Sequence, residues 1–138
     1  MFKWPVRFAE AILAGHAIDL HDEGRGRRDF TYIDDAVAGT LAVASRAPGA
    51  EPTPHRIYNL GKGTPDRLAD MIELLEDALG KRAERRLLQA RPGDVAITHA
   101  DISAIRADHG YQPTTPLEIG IPKFARWYLE WHARGGGR

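Results

Sequence analysis

Residues 24–35 read GRGRRDFTYIDD, and the fold class turns on what this stretch does. Gly24 and Gly26 sit among Arg25, Arg27 and Arg28, so it opens as a turn carrying concentrated positive charge. DFTYI (29–33) is rich in aromatic and β-branched residues and predicts a strand. Asp34 or Asp35 then predicts the N-cap of an alanine-rich helix over AVAGTLAVASRA (36–47). Upstream, AIDLHD (17–22) alternates apolar and polar side chains, which predicts a short strand. Before it, PVRFAEAILA (5–14) places Phe8, Ile12 and Leu13 on one helical side, with Pro5 in the first turn and Gly15 as the stop. A helix, a strand, a basic turn, a second strand and a second helix follow one another, as in a mixed α/β chain.

The pattern continues downstream. PGAEPTPH (48–55) is a loop with three prolines, and RIYNLG (56–61) predicts a strand. KGTPDRLADMIELLEDALG (62–80) carries the clearest helix, with Thr64 as N-cap, Pro65 at the first position and Gly80 as the stop. Leu68, Met71, Ile72, Leu75 and Leu79 form its apolar stripe. ERRLLQ (84–89) predicts a strand, and ARPGDVAITHAD (90–101) a loop or extended segment. Asp101 is placed to cap ISAIRADHG (102–110), which ends at Gly110. TPLE (115–118) matches a capping box and opens a last helix with Leu117, Ile121, Phe124, Tyr128 and Trp131 on one face. The three tryptophans are expected to pack in the core. The expectation is one domain over 1–132 with a flexible tail at 133–138, without an internal repeat or a dividing linker.

Composition narrows the function classes. The 138 residues are 43% hydrophobic and 28% charged, in the globular range. Nineteen basic residues balance nineteen acidic ones, so a general polyanion surface is not indicated and no nucleic-acid partner is expected. The absence of cysteine removes disulfides, thiolate nucleophiles and cysteine-based zinc sites. No apolar run approaches the roughly 20 residues of a membrane helix, and the first residues lack a signal-peptide pattern. A cytoplasmic protein without a membrane partner is the expectation.

Several residues are candidates for chemistry. Arg28 adjoins the predicted strand and so has a fixed direction, and its fork can hold a phosphate or carboxylate bidentately. Arg25 and Arg27 read as solvated turn residues. RPGD (91–94) is a turn that projects Arg91 and Asp94. Arg91 suits a phosphate, whereas Asp94 suits a sugar hydroxyl or an arginine. GKG (61–63) precedes a helix, but the dinucleotide fingerprint needs G-x-G-x-x-G and its third glycine is absent. Tyr58 and Lys62 have Y-x-x-x-K spacing, yet they fall on a strand and a turn and not on one helix. The six histidines form neither H-x-x-x-H nor H-E-x-x-H, so no metal site is expected.

These pieces, in this order, resemble the C-terminal part of an extended short-chain dehydrogenase/reductase. The resemblance rests on G-x-x-x-RDF-x-YI-x-D, then YN-x-G, then R-x-GD, then AD, and covers about residues 5–132. Within that superfamily, IDL, RRDFTYIDD and RPGDV resemble the NAD-dependent nucleotide-sugar epimerases, UDP-glucuronate 4-epimerases in particular. The resemblance implies a mixed α/β substrate-binding region of a few short strands and about five helices. It implies that Arg28 and Arg91 hold a diphosphate, with Asp94 near the ribose or the arginines. Ile18, Asp19, Leu20 and His21 would run beside the uridine, through main-chain more than side-chain contacts. Family members bind NAD in an N-terminal Rossmann half that also carries the catalytic Tyr-x-x-x-Lys. None of those motifs lies in these 138 residues. The expectation is therefore a chain with no cofactor of its own and no catalytic residue, inactive alone. It would bind a UDP-sugar weakly and self-associate, or else serve as a stand-alone binding module or complete a separate Rossmann subunit.

Overall fold

The computed structural model describes residues 3–46 and 55–136. Five α-helices and four short strands make a mixed α/β fold, as expected from the sequence: α1 (Lys3–Ala14), β1 (Ile18–His21), β2 (Arg27–Arg28), α2 (Ile33–Ala44), β3 (Asp66–Arg67), α3 (Leu68–Leu79), β4 (Arg85–Leu88), α4 (Ser103–His109) and α5 (Leu117–Ala133). β1 and β4 pair in parallel, with Ile18 opposite Arg85 and His21 opposite Leu88. β2 and β3 pair antiparallel, with Arg28 opposite Asp66.

The stripe on α3 does what its spacing predicts. Met71, Ile72 and Leu75 are fully buried against Phe8 and Ile12 of α1, Leu20 of β1, and Ile121 and Tyr128 of α5. Gly80 ends α3 and Gly110 ends α4, both at φ +66, a left-handed conformation that favours glycine. A smaller cluster of Ile102, Ile105 and Tyr111, with Val43, Tyr58 and Leu60 against it, joins α2 to α4. There α2 approaches closely: a methyl at Gly39 would sit 2.4 Å from Leu60 Cδ1 and 2.8 Å from Tyr111 Cε2.

Several local expectations fail, each for a non-local reason. DFTYI is not a strand. Phe30 turns into the core, Tyr32 is the residue before α2, and Ile33 is already helical. Asp34 and Asp35 lie inside the first turn of α2 and cap nothing. Asp35 is buried and instead accepts the backbone N–H groups of Thr114 and Thr115, at 3.2 and 3.0 Å. RIYNLG keeps the alternation of a strand, with Tyr58 and Leu60 inward and Ile57 outward, but no strand pairs with it among the described residues. Helix α3 begins at Leu68 and not at Pro65, because Asp66 and Arg67 are drawn into pairing with β2 and the Leu68 N–H donates to the Gly26 carbonyl. Pro116 precedes α5 without a side-chain cap, so TPLE forms no capping box. Ile102, not Asp101, is the residue before α4, which has no side-chain cap; Asp101 stands one residue earlier and accepts the Ser103 N–H at 2.9 Å. Trp4, Trp127 and Trp131 are substantially exposed, contrary to the core role expected of them. Residues 48–54 of the predicted loop, and 137–138 of the predicted tail, lie outside the described residues. Residues 134–136 close α5, with the Gly136 N–H donating to the Trp131 carbonyl.

Candidate functional site

Arg28 stands where three segments meet. The Arg27 N–H donates to the Ala96 carbonyl at 2.9 Å, and the Thr98 N–H donates to the Arg27 carbonyl at 3.1 Å, so residues 96–98 run alongside β2. Arg28 Nη1 donates to the Arg27 carbonyl at 2.8 Å and to the Ala96 carbonyl at 3.2 Å. Among the described residues, the hydrogen bonds of this side chain all run through Nη1. The rest of its planar fork stays open to an anion.

The 91–94 turn lies between two anchored points, one of which, Ala96, bonds this arginine. It closes with the Asp94 N–H donating to the Arg91 carbonyl at 3.0 Å, and Gly93 takes φ +88. Just before it, His21 Nδ1 donates to the Gln89 carbonyl at 3.3 Å, which fastens the end of β1 to the chain entering the turn. Just after it, the Ala96 carbonyl receives Arg27 and Arg28. The end of β1, the basic strand β2 and the turn bearing exposed Arg91 and Asp94 therefore converge.

Other candidates separate on inspection of their partners. Ile18 and Leu20 bury their side chains in the core and can offer a ligand only backbone. Asp19 accepts from Arg86 Nε at 2.8 Å. Arg25 pairs with Asp22 and Glu23 on the surface, at 3.0 and 3.1 Å, in keeping with a solvated turn. Arg27 is exposed, as expected, and also donates through Nη2 to the Pro65 carbonyl at 2.9 Å, which ties β2 to the entrance of α3. Tyr58 and Lys62 do not act together. Tyr58 Oη donates to Asp108 Oδ2 at 2.9 Å, and Lys62 pairs with Asp66. Burial, with the Asp108 carboxylate, raises the Tyr58 phenol above its ordinary range, the reverse of what a proton-transferring tyrosine needs at neutral pH.

Sequence reasoning missed Asp29. Its carboxylate accepts the N–H groups of Lys62 (2.7 Å), Gly63 (2.9 Å) and Ala100 (3.0 Å). Its own N–H donates to Thr98 Oγ1 at 3.2 Å. The acceptor is one residue from Arg28, but its donors lie more than thirty positions away, and no local pattern signals that. The same bonds decide whether the glycine turn fits a dinucleotide. A pyrophosphate cradle needs free backbone N–H groups, and those of Lys62 and Gly63 already point at Asp29. The residues present at this turn do not fit NAD.

Two cavities adjoin Asp29 and Phe30, and neither is lined by Arg28, Arg91 or Asp94. One of about 340 Å³ is lined by Asp29, Thr31, Asn59, Thr98, His99 and Ala100, among others. A larger groove of about 530 Å³ runs between residues 30–33 and α5, past Phe124 and Trp127, with Lys123 as its one charged lining residue. Its apolar walls suit a covering surface better than a diphosphate. No helix among the described residues is long and apolar enough to cross a membrane.

The chain is similar to known proteins over nearly its whole length. Residues 4–61 match the NAD dependent epimerase/dehydratase family. Protein CapI of Staphylococcus aureus is 33% identical over 93% of this chain and 42% of its own length. UDP-glucuronate 4-epimerase 2 of Arabidopsis thaliana is 38% identical over 94% of this chain and 32% of its own. The crystal structure of UDP-glucuronic acid 4-epimerase from Bacillus cereus, in complex with UDP-glucuronic acid and NAD, superposes with a TM-score of 0.77. It is 29% identical, over 91% of this chain and 39% of that one. The chain thus spans less than half the length of each of these proteins.

Proposed function

With the chain identified as the C-terminal part of an extended short-chain dehydrogenase/reductase of the NAD-dependent epimerase/dehydratase family, we propose that it is the part that holds a UDP-sugar. The observation that carries this reading is the convergence of Arg28 with the 91–94 turn, fixed by the bonds from Arg27 and Arg28 to Ala96. Two guanidinium groups, Arg28 and Arg91, face the diphosphate. Asp94, which a phosphate would repel, takes a sugar hydroxyl or steadies an arginine. The backbone of Ile18–His21 runs beside the uracil. UDP-glucuronate is the substrate this reading favours, because the similar Arabidopsis thaliana and Bacillus cereus proteins are UDP-glucuronate 4-epimerases. NAD supplies the hydride chemistry in such an enzyme, and these 138 residues bind and orient without performing it.

Isothermal titration of the chain with UDP tests the reading. Heat that saturates at one UDP per chain is expected, with weak affinity because only part of a pocket is present. Titration with no heat at millimolar UDP overturns it.

A surface observation adds a second element. Ile33, Val37 and Leu41 stand exposed at four-residue spacing along α2, and Ile57 is exposed within RIYNLG, which pairs with no strand among the described residues. Apolar stripes of this kind mark contact surfaces. We propose that the 138-residue chain by itself covers this stripe with a second copy. Sedimentation velocity is expected to show association as concentration rises, and Val37→Glu to abolish it. A monomer throughout would overturn self-association.

A further inference from the structure

We propose that Asp29 is the positioning residue of the diphosphate site, setting where Arg28 stands relative to the turn of Arg91 and Asp94. This rests on the UDP-binding reading above and names how its geometry is kept.

Three irregular segments build the site region, and secondary structure alone fixes none of them. β2 is two residues long, residues 61–63 form a turn, and residues 96–100 have no regular structure beyond one bridge to Arg27. Asp29 is bonded to the other two. Its carboxylate takes two N–H groups from the glycine turn and one from Ala100, while its N–H reaches Thr98. Residues 98–100 continue directly from Ala96, whose carbonyl orients the Arg28 guanidinium, and from the 91–94 turn. Moving residues 98–100 therefore moves the acceptor of Arg28 and the arm that carries Arg91. The packing leaves no slack. A methyl at Gly61 would lie 2.5 Å from Ala100 Cβ and 3.1 Å from Asp29 Oδ2. A carboxylate is needed because it is acceptor-only, whereas an amide in its place would turn an N–H₂ toward at least one backbone N–H.

The test is Asp29→Asn, read by amide NMR and by UDP titration together. The amide protons of Lys62, Gly63 and Ala100 are expected to move upfield as charge-assisted bonds are lost, while those of Met71 and Leu75 in the core stay in place. UDP affinity is expected to fall roughly tenfold, the equivalent of one such bond, although Arg28 and Arg91 are both intact. In an Arg28→Lys background the same substitution is expected to cost much less, because the two residues act as one unit. If Asp29→Asn does not fold, Gly61→Ala presses on the same junction from the other side and carries the same expectations. Unchanged UDP affinity with shifted amides, in either variant, overturns the inference and leaves the UDP-binding reading standing. So do costs that simply add with Arg28→Lys. A wild-type chain that does not bind UDP overturns both.

Discussion

Replacing Glu76 with alanine is expected to lower the unfolding free energy by about 3 kcal/mol, the low end for breaking a buried ion pair, read as a shift in the urea midpoint at constant slope. Glu76 lies on α3 and is 2% exposed. Its carboxylate accepts from Arg85 Nη2 at 2.7 Å, from Arg82 Nη1 at 3.1 Å and from the Ala83 N–H at 3.1 Å. These bonds fasten the end of α3 to the chain entering β4. Alanine leaves the Ala83 N–H without its acceptor, while Arg82 keeps Asp77 and Arg85 keeps only the longer contact to Glu73 at 3.7 Å. Both arginines still reach solvent, which is why the low end of the range applies. Burial alone would raise this carboxyl. The bonds from Arg85, Ala83 and Arg82 outweigh burial and hold it below the ordinary range. The native state then binds fewer protons than the unfolded one. The contribution is present above the unfolded carboxyl's pKa near 4.5 and is lost as pH falls through the lower native value. Glu76→Gln should therefore flatten the acid limb of the stability curve, and an acid limb as steep as the wild type's would show that Glu76 is not its source.

The parts of the fold that could be read from the chain are those whose causes are local. The α3 stripe, the stops at Gly80 and Gly110, and the short strands at Ile18–His21 and Arg85–Leu88 follow from periodicity and turn chemistry within a few residues. The misreadings share one cause. Asp29 reads in sequence as the first residue of a strand and Asp35 as a possible helix cap, and nothing local singles out Glu76. Each satisfies distant backbone or side-chain donors, and for Asp35 those are the N–H groups of Thr114 and Thr115. A strand is a pairing and not a property of its residues, so DFTYI and RIYNLG could carry strand-forming residues and still find no partner among the described residues. The site was legible in part for the same reason. Arg28 and the RPGD turn announce themselves by residue type and position, whereas the bonds that bring them together run through Ala96, Thr98 and Asp29, and only the folded chain reveals them.

Arg28→Ala is expected to weaken UDP binding by roughly tenfold to a hundredfold, the range for removing a hydrogen-bonded cation from an anion, with little change in unfolding midpoint. Stability should be spared because the bonds of Arg28 go to carbonyls that face solvent and have other donors: Ala96 keeps the Arg27 N–H and Arg27 keeps the Thr98 N–H. The contrast with its neighbours is what gives the experiment its power. Arg25→Ala removes an equal charge from the same turn, but that guanidinium is engaged with Asp22 and Glu23, so UDP affinity should hold. Arg27→Ala breaks the tie to Pro65 and should cost stability before affinity. If charge density alone drew the nucleotide, all three substitutions would weaken binding alike, in proportion to the salt sensitivity of the complex. A loss confined to Arg28 means that direction matters, and direction is what residues 96–98 supply. Equal losses at Arg25 and Arg28 would reduce the site to a basic turn and remove the structural basis for a diphosphate clamp.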